Sequence, residues 1–421
     1  MPPNIPVYGG FVGNETLLSQ RNVELNPTIL SGDLGTAGIQ DDNSYHVVIP
    51  SEGSVLDGFT IRDGFADQNF ADDDRGIGAG LWADGASFVV RNCTFTESHA
   101  EQGGGGIYLK DAQGTFTNCI FSNLLTGETG SGAAAYLDNS TAIFSYCSFS
   151  SNEADYFGGA IRSDTSIIEI NDSNFTANRS ISSNGGGAIY LFQSQFSINS
   201  CFFSNNQATY QGGALYSDES NGTLYKSTFM SNFSTQTNGG GALYLQGGQV
   251  DLKEVHAEGN SATFQGGAAY LDNIIGSISD SNFSDNQNTE SNGGGALFLQ
   301  DCSPTIMNCR FIENKTFANA YGGALKLANS TSIISNCEFT GNQNLTNSGG
   351  AVYIDSTSQP TFSNNNFTNN QCASSGAAIF VDESKLVLTD NSFTENIAAS
   401  GGALYLYNSD NSTSVSYTHL R

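Results

Sequence analysis

Cations are the first shortage. The 421 residues hold 14 Lys and Arg against 41 Asp and Glu, a formal charge of −27. A surface of that sign repels polyanions, which excludes nucleic acid and an anionic membrane face as partners. Proline (7), histidine (4), methionine (3) and tryptophan (1) are also scarce. Long apolar runs are missing: none reaches the roughly eighteen residues a membrane-spanning helix needs, so no direct membrane insertion is expected within this stretch. There is no C-x-x-C pair, and His46, His99, His256 and His419 are scattered, which removes the usual zinc signatures. Met1-Pro2-Pro3-Asn4-Ile5-Pro6 has neither the basic nor the apolar region of an export signal. Val7-Tyr8-Gly9-Gly10 already reads as the inside of a folded domain, and the last repeat stops part-way at Leu420-Arg421. The expectation is therefore a fragment whose export and anchoring signals lie outside it.

Glycine, by contrast, is abundant (49), and it recurs in a pattern. Gly186-Gly187-Ala188-Ile189-Tyr190-Leu191 returns, lightly varied, with its marker position at Gly80, Gly106, Ala134, Ala160, Ala188, Ala214, Ala242, Ala268, Ala296, Ala324, Ala351, Ala378 and Ala403. Most steps are 26 or 28 residues, as from 188 to 214 and from 214 to 242. A fixed period lets each unit bury its apolar face on its neighbours, so the chain escapes the size limit of a single globular core.

Each unit reads as three short strands with period-2 alternation. The first turns pairs such as Ile189 and Leu191, or Leu243 and Leu245, inward. The second contributes Ile168 and Ile170, or Phe196 and Ile198; the third contributes Cys201 and Phe203, with Cys93 and Phe95, Cys147 and Phe149, Cys309 and Phe311, and Cys337 and Phe339 in the same register. Three residues after each such phenylalanine position comes an asparagine: Asn152, Asn178, Asn206, Asn232, Asn260, Asn286, Asn314, Asn342, Asn370 and Asn396, with only Ser98 and Leu124 breaking the series. A polar amide at one fixed point per coil makes sense if coils stack about 4.8 Å apart and each amide bonds to those above and below.

These observations predict an all-β fold: a right-handed parallel β-helix with three short strands per coil and about 13 regular coils of roughly 25–28 residues. Residues 1–75 lack the marker and are expected to form irregular first coils and a cap, with β-rich runs at 28–30, 45–49 and 55–61. Residues 76–421 form the repetitive helix, truncated mid-coil. Asp72-Asp73-Asp74 reads as a solvated acidic loop.

Function has to lie on the outward residues. Between the inward pair of the first strand stands Trp82, Tyr108, Tyr136, Arg162, Tyr190, Tyr216, Tyr244, Tyr270, Phe298, Lys326, Tyr353, Phe380 or Tyr405. An exposed row of rings is a candidate surface for stacking on sugars or on a partner; the alternative is a structural ladder lightly covered by loops. Two residues on lie Asp84, Asp138, Asp164, Asp218, Asp272, Asp355 and Asp382. Asp138 with Asp164, and Asp355 with Asp382, fall on adjacent coils, where repulsion invites calcium, although aspartate is also a common turn former. No other cofactor is expected.

Cys93, Cys119, Cys147, Cys201, Cys309 and Cys337 share one inward column with Ser173, Ser227 and Ser281, which points to buried thiols at a position wanting a small residue; Cys302 and Cys372 read as off that column. Asn174, Asn232 and Asn366 open glycosylation sequons. No catalytic residue is expected, because the acids follow the repeat instead of clustering once. A polysaccharide lyase or glycosidase is the alternative.

Gly213-Ala214-Leu215 and Gly350-Ala351-Val352, paired with Phe283-Ser284-Asp285-Asn286, resemble the repeat of the chlamydial polymorphic outer membrane proteins. The opening, Val7-Tyr8-Gly9-Gly10-Phe11 with 26–33 and 42–48, looks like the start of large secreted β-helix proteins of the pectin-lyase-like class. The resemblance implies an exported, cell-surface protein, an adhesin or autotransporter passenger, with a glycan or a host or cell-surface protein as partner. The C-terminal membrane barrel of such relatives is not in this sequence.

Overall fold

The structure is a computed structural model that describes residues 1–68, 74–182, 185–236, 239–409 and 415–420, with side chains described up to 409. Asp72 and Asp73 of the acidic loop lie outside the described residues. The chain forms two compact units, Met1–Phe202 and Phe203–Arg421. Both are made of the same coil, stacked in parallel. Among the described residues the helical segments are three 3-10 turns, at Leu18–Gln20, Gln40–Asp42 and Asp74–Gly76.

One coil of the first unit runs through strands Ala135–Asp138, Thr141–Ser145, Ser148–Ser150 and Glu153–Ala154. Each pairs in register with the next coil: Ala135 with Ile161, Thr141 with Ile167, Ser148 with Asn174, Glu153 with Arg179. The second unit repeats this, with Leu297–Gln300, Thr305–Met307, Arg310–Ile312 and Lys315–Thr316 lying on Leu325–Ala328, Ile333–Ser335, Glu338–Thr340 and Gln343–Asn344. The structure thus adds to the expected three strands a fourth, two residues long, where the sequence reads as loop. Two residues are too few to display an alternation, which is why the pattern hides it.

The path is already regular before residue 76. Ser54–Asp57 and Phe59–Arg62 pair with the first marked coil, and Pro6–Tyr8 and Thr28–Ser31 pair with them in turn. In the apolar run 45–49, Val48 bridges to Leu81 and the Val47 N–H donates to the Ala79 carbonyl.

Corners turn through left-handed residues. In one coil these are Asp111 (φ 50), Asn118 (φ 54) and Asn123 (φ 51); elsewhere Tyr146, Ala177 and Lys226 accept the same conformation. Asn and Asp tolerate this region best, which explains their abundance at the corners. The residue after the corner is buried and donates backwards. Cys93 Sγ donates to the Arg91 carbonyl (3.1 Å), Ser173 Oγ to Asn171 (2.8 Å) and Ser281 Oγ to Ser279 (2.7 Å). The column therefore selects a small hydrogen-bond donor, not merely a small residue, and Cys and Ser interchange there. Asn391 joins it, donating to the Thr389 carbonyl at 3.1 Å.

All eight cysteines are free and buried. Burial pushes the thiol of Cys93 up to about 11 and those of Cys201 and Cys302 up to about 12, which keeps them protonated and unreactive. Cys302 and Cys372 lie off that column, as expected, but not off the repeat. Cys302 sits in a second inward column, in register with Ser330, and Cys372 pairs with Asn344 in the column of the short fourth strand. Both are repeat positions.

Inside the coils, phenylalanines stack face to face. Phe95, Phe121, Phe149 and Phe175 lie 4.5–4.9 Å apart in the first unit. Phe283, Phe311, Phe339, Phe367 and Phe393 lie 4.7–5.2 Å apart in the second. The asparagine row runs beside them. Asn260 Nδ2 donates to Asn286 Oδ1 (3.0 Å) and to the Phe229 carbonyl (2.9 Å), while its Oδ1 accepts from the backbone N–H and Nδ2 of Asn232 (2.9 and 3.0 Å). The same set recurs at Asn286, Asn314 and Asn342. Nine of the ten expected amides are buried, and Asn396, in the coil before the last marked one, is half-buried.

Removing one rung leaves dry donors and acceptors on both neighbours. Asn260→Ala is expected to cost about 1–3 kcal/mol, read as a lower midpoint in urea denaturation. An unchanged midpoint would mean that the amides do not hold the corner.

Candidate functional site

The row between the inward residues of the first strand is covered, not open. Tyr108, Tyr190, Tyr216, Tyr244, Tyr270, Phe298 and Tyr353 are only 3–8% exposed. Trp82, Tyr136, Phe380 and Tyr405 are half-buried. Of the two readings of the row, this burial corrects the accessible surface of rings and agrees with the structural ladder covered by loops. The connecting loop turns back over the row at the glycine two residues before the marker. At Gly158 (φ 62) and Gly212 (φ 57) a Cβ would come within 2.0 and 2.2 Å of the carbonyls of Ile161 and Leu215, so no other residue fits. Loop rings then cap row rings: Phe157 lies 4.4 Å from Tyr190, and Tyr321 4.6 Å from Tyr353. Within the row, successive rings from Tyr216 to Phe298 are 4.8–5.1 Å apart. In the first unit Trp82 stacks on His46 (5.4 Å) and Tyr108 packs against Tyr136 (4.8 Å).

The aspartates are engaged by the same rings. Tyr108 donates to Asp138 (3.4 Å), Tyr136 to Asp164 (2.8 Å) and Tyr353 to Asp382 (2.8 Å), each from the coil before. Asp355 instead accepts from Thr357 and Ser358 and from the Asn329 backbone N–H. So the facing carboxylates proposed for calcium are relieved by hydroxyls, amides and, at Asp164, a guanidinium. Among the described residues no three of His, Cys, Asp and Glu converge on one point. Burial, reinforced by the carboxylates, raises the tyrosine hydroxyls; Tyr244 is pushed up to about 12.

Two cations interrupt the row. Arg162 is bidentate on Asp164 (Nη2 to Oδ2 2.7 Å) and lies over Tyr136 (4.8 Å) and Phe157 (4.9 Å). Lys326 is 7% exposed, its Nζ over Phe298 (4.6 Å) and donating to Asn292 Oδ1 (3.0 Å) and the Asn292 carbonyl (3.4 Å). Each cation sits between a row ring and a loop ring, and each ties its loop down. The sequence marked both as breaks, but loop partners such as Phe157 and Asn292 carry no repeat signal. Of the sequon asparagines, Asn174 and Asn366 are exposed and Asn232 is a buried rung.

Burial pulls the Lys326 amine down to about 8. The unfolded chain, near 10.4, then holds a proton that the folded chain has lost, so stability rises as pH climbs from 8 towards 10. Above pH 10 the raised tyrosines act in the opposite direction, because the unfolded chain ionises first. Relative to Lys326→Met, the wild type is expected to gain roughly 1–3 kcal/mol between pH 8 and 10. Denaturation profiles of the two that run parallel across that window would refute a buried, depressed amine.

Comparison with known proteins agrees with this geometry. The chain is 31% identical over 140 residues to the probable autotransporter YfaL of Escherichia coli (strain K12), a match covering 30% of this chain and 11% of that relative. The chain thus spans a small part of the relative it matches. A family model described as a right handed beta helix region matches residues 76–262 and 241–418. With its stacked parallel coils, inward columns and left-handed corners, the chain belongs to the right-handed β-helix family.

Proposed function

We propose that the chain is a non-catalytic interaction scaffold of the autotransporter-passenger kind, displayed at the cell surface as an adhesin. The observation that carries the reading is the use made of the ionisable groups under the loops. Arg162 is spent on Asp164 and two rings, Lys326 on Asn292 and Phe298, and Asp138, Asp164 and Asp382 on tyrosine hydroxyls. The two cations hold the covering loops, the aspartates hold the row beneath, and the loops become the surface offered to a partner. Glu128 and Leu345 are exposed on them, and Glu290 is exposed on the adjoining strand Gln287–Ser291. The resemblance of the Gly-Gly-Ala and Phe-x-x-Asn repeats to chlamydial polymorphic outer membrane proteins points the same way, as does the likeness to an autotransporter.

Two measurements test this. Purified protein incubated with polygalacturonate is expected to release no new reducing ends and no unsaturated uronate; time-dependent product would make the chain an enzyme. In an adhesion assay on intact cells, the triple variant Glu128→Ser, Glu290→Ser and Leu345→Ser is expected to bind several-fold less than wild type with unchanged circular dichroism. Equal adhesion would take the loops out of the interaction.

A further inference from the structure

Residues 9–27 stand outside the repeat, between strands Pro6–Tyr8 and Thr28–Ser31. They are pinned by one arginine. Arg21 has its side chain 13% exposed, and its Nη2 is 2.7 Å from Asp57 Oδ1. Its Nη1 donates to the carbonyls of Asp57 (2.9 Å) and Gly9 (3.2 Å), and the guanidinium lies over Tyr8 (5.2 Å). Gly58 (φ 89) lets the segment lie directly on the coil, since a Cβ there would meet Arg21 Nη1 and Val23 Cγ2 at 2.8 Å. Held this way, 21–27 forms a wall beside the outward face of the third strands. Between wall and strands runs an open groove of about 680 Å³, within the ~300–1,000 Å³ range of small-ligand sites.

The lining decides the ligand class. The floor carries Thr60, Thr94 and Ile120, in register on three successive coils. Beside them runs an amide row in which Asn118 Nδ2 donates to Asn92 Oδ1 (2.8 Å), and Asn92 Nδ2 to Asp57 Oδ1 (2.7 Å). The wall adds Val23 and Pro27, and Glu24 is exposed at its edge. The one cation in the lining, Arg21, is consumed by Asp57. Phosphorylated, sulfated and uronate ligands would find no free positive charge there, in a chain whose net charge is −27.

Apart from Glu24 at the edge, what remains is an uncharged surface of hydroxyls and amides with apolar side chains interleaved. Its groups repeat at the coil spacing of about 4.8 Å, whereas an extended peptide advances about 3.3 Å per residue and would run out of step. A pyranose unit is close to the coil spacing in length. We propose that this groove is a binding site for a short neutral oligosaccharide lying across three coils, its hydroxyls on the threonine and asparagine rows and its C–H faces on Val23, Pro27 and Ile120. The proposal rests on the reading of the chain as an interaction protein, but uses a different surface from the loops.

The test titrates purified protein with xylo-, cello-, manno- and chito-oligosaccharides of three to five units, followed by calorimetry and saturation-transfer NMR. At least one series is expected to bind. Thr94→Arg, which fills the groove from an outward position, should weaken it at least tenfold. Asn174→Arg, at the equivalent strand position beyond the groove, should leave it unchanged. Binding by none of the series, or binding insensitive to Thr94→Arg, overturns the assignment, as does preferential binding of an extended lysine-rich peptide. Cell adhesion measured on the same samples separates the two readings: adhesion without oligosaccharide binding removes the groove alone, and loss of both removes the surface function as well.

Discussion

No coil of this protein can satisfy its own hydrogen bonds. Strands within the stack take their partners from the coil before and the coil after, and each corner donor adds a second hydrogen bond to a carbonyl that already accepts a backbone N–H from the coil before, as at Arg91, Asn171 and Ser279. The amide row makes the dependence plainest. Asn260 is saturated only because Asn232 and Asn286 stand at the same place in the adjacent coils. Such an arrangement ties sequence to position tightly, because a one-residue slip in the coil of Asn152 would bring Ser151 or Glu153 to the amide row and Ser148 or Ser150 to the ring stack.

That is also why so much of the fold is legible in the sequence. Stacking without offset turns equivalence in space into equivalence in spacing, so Ala188, Phe203 and Asn206 recur where their columns require. What escapes the pattern is whatever does not recur. The two-residue fourth strand is too short for an alternation, and the Cys and Ser column reads as a size requirement because a donated hydrogen bond leaves no mark in the spacing. Cys302 and Cys372 seem misplaced until the second and third columns are known. At the candidate site, the sequence locates every ring and both cations, but their accessibility depends on loops whose residues follow no period. Phe157, Tyr321 and Asn292 are single events.

Covering the aromatic row changes what the row is. Rings that are nearly inaccessible, with hydroxyls on neighbouring aspartates and cations laid across them, form a second, thinner core between strand and loop. Asp138, Asp164 and Asp382, which look like unbalanced charge in the sequence, are acceptors in this layer. The loops above it vary in length and composition while resting on a constant platform, which lets the outer surface change without disturbing the coils beneath.

The ring stack of the second unit has one gap. At Ala257 the phenylalanine position is empty of a ring, so Phe229 and Phe283 have no aromatic neighbour on that side, and Val255 replaces the usual corner donor. The amide row passes through unbroken, with Asn286 donating to the Ala257 carbonyl at 2.9 Å. Register there is kept by hydrogen bonds while cohesion between coils is thinner. In a stack of coils, whose stability is a sum of nearest-neighbour terms, such a place is a seam. Under load or partial denaturation the unit would part at this coil first, leaving folded segments on either side from which the stack can close again.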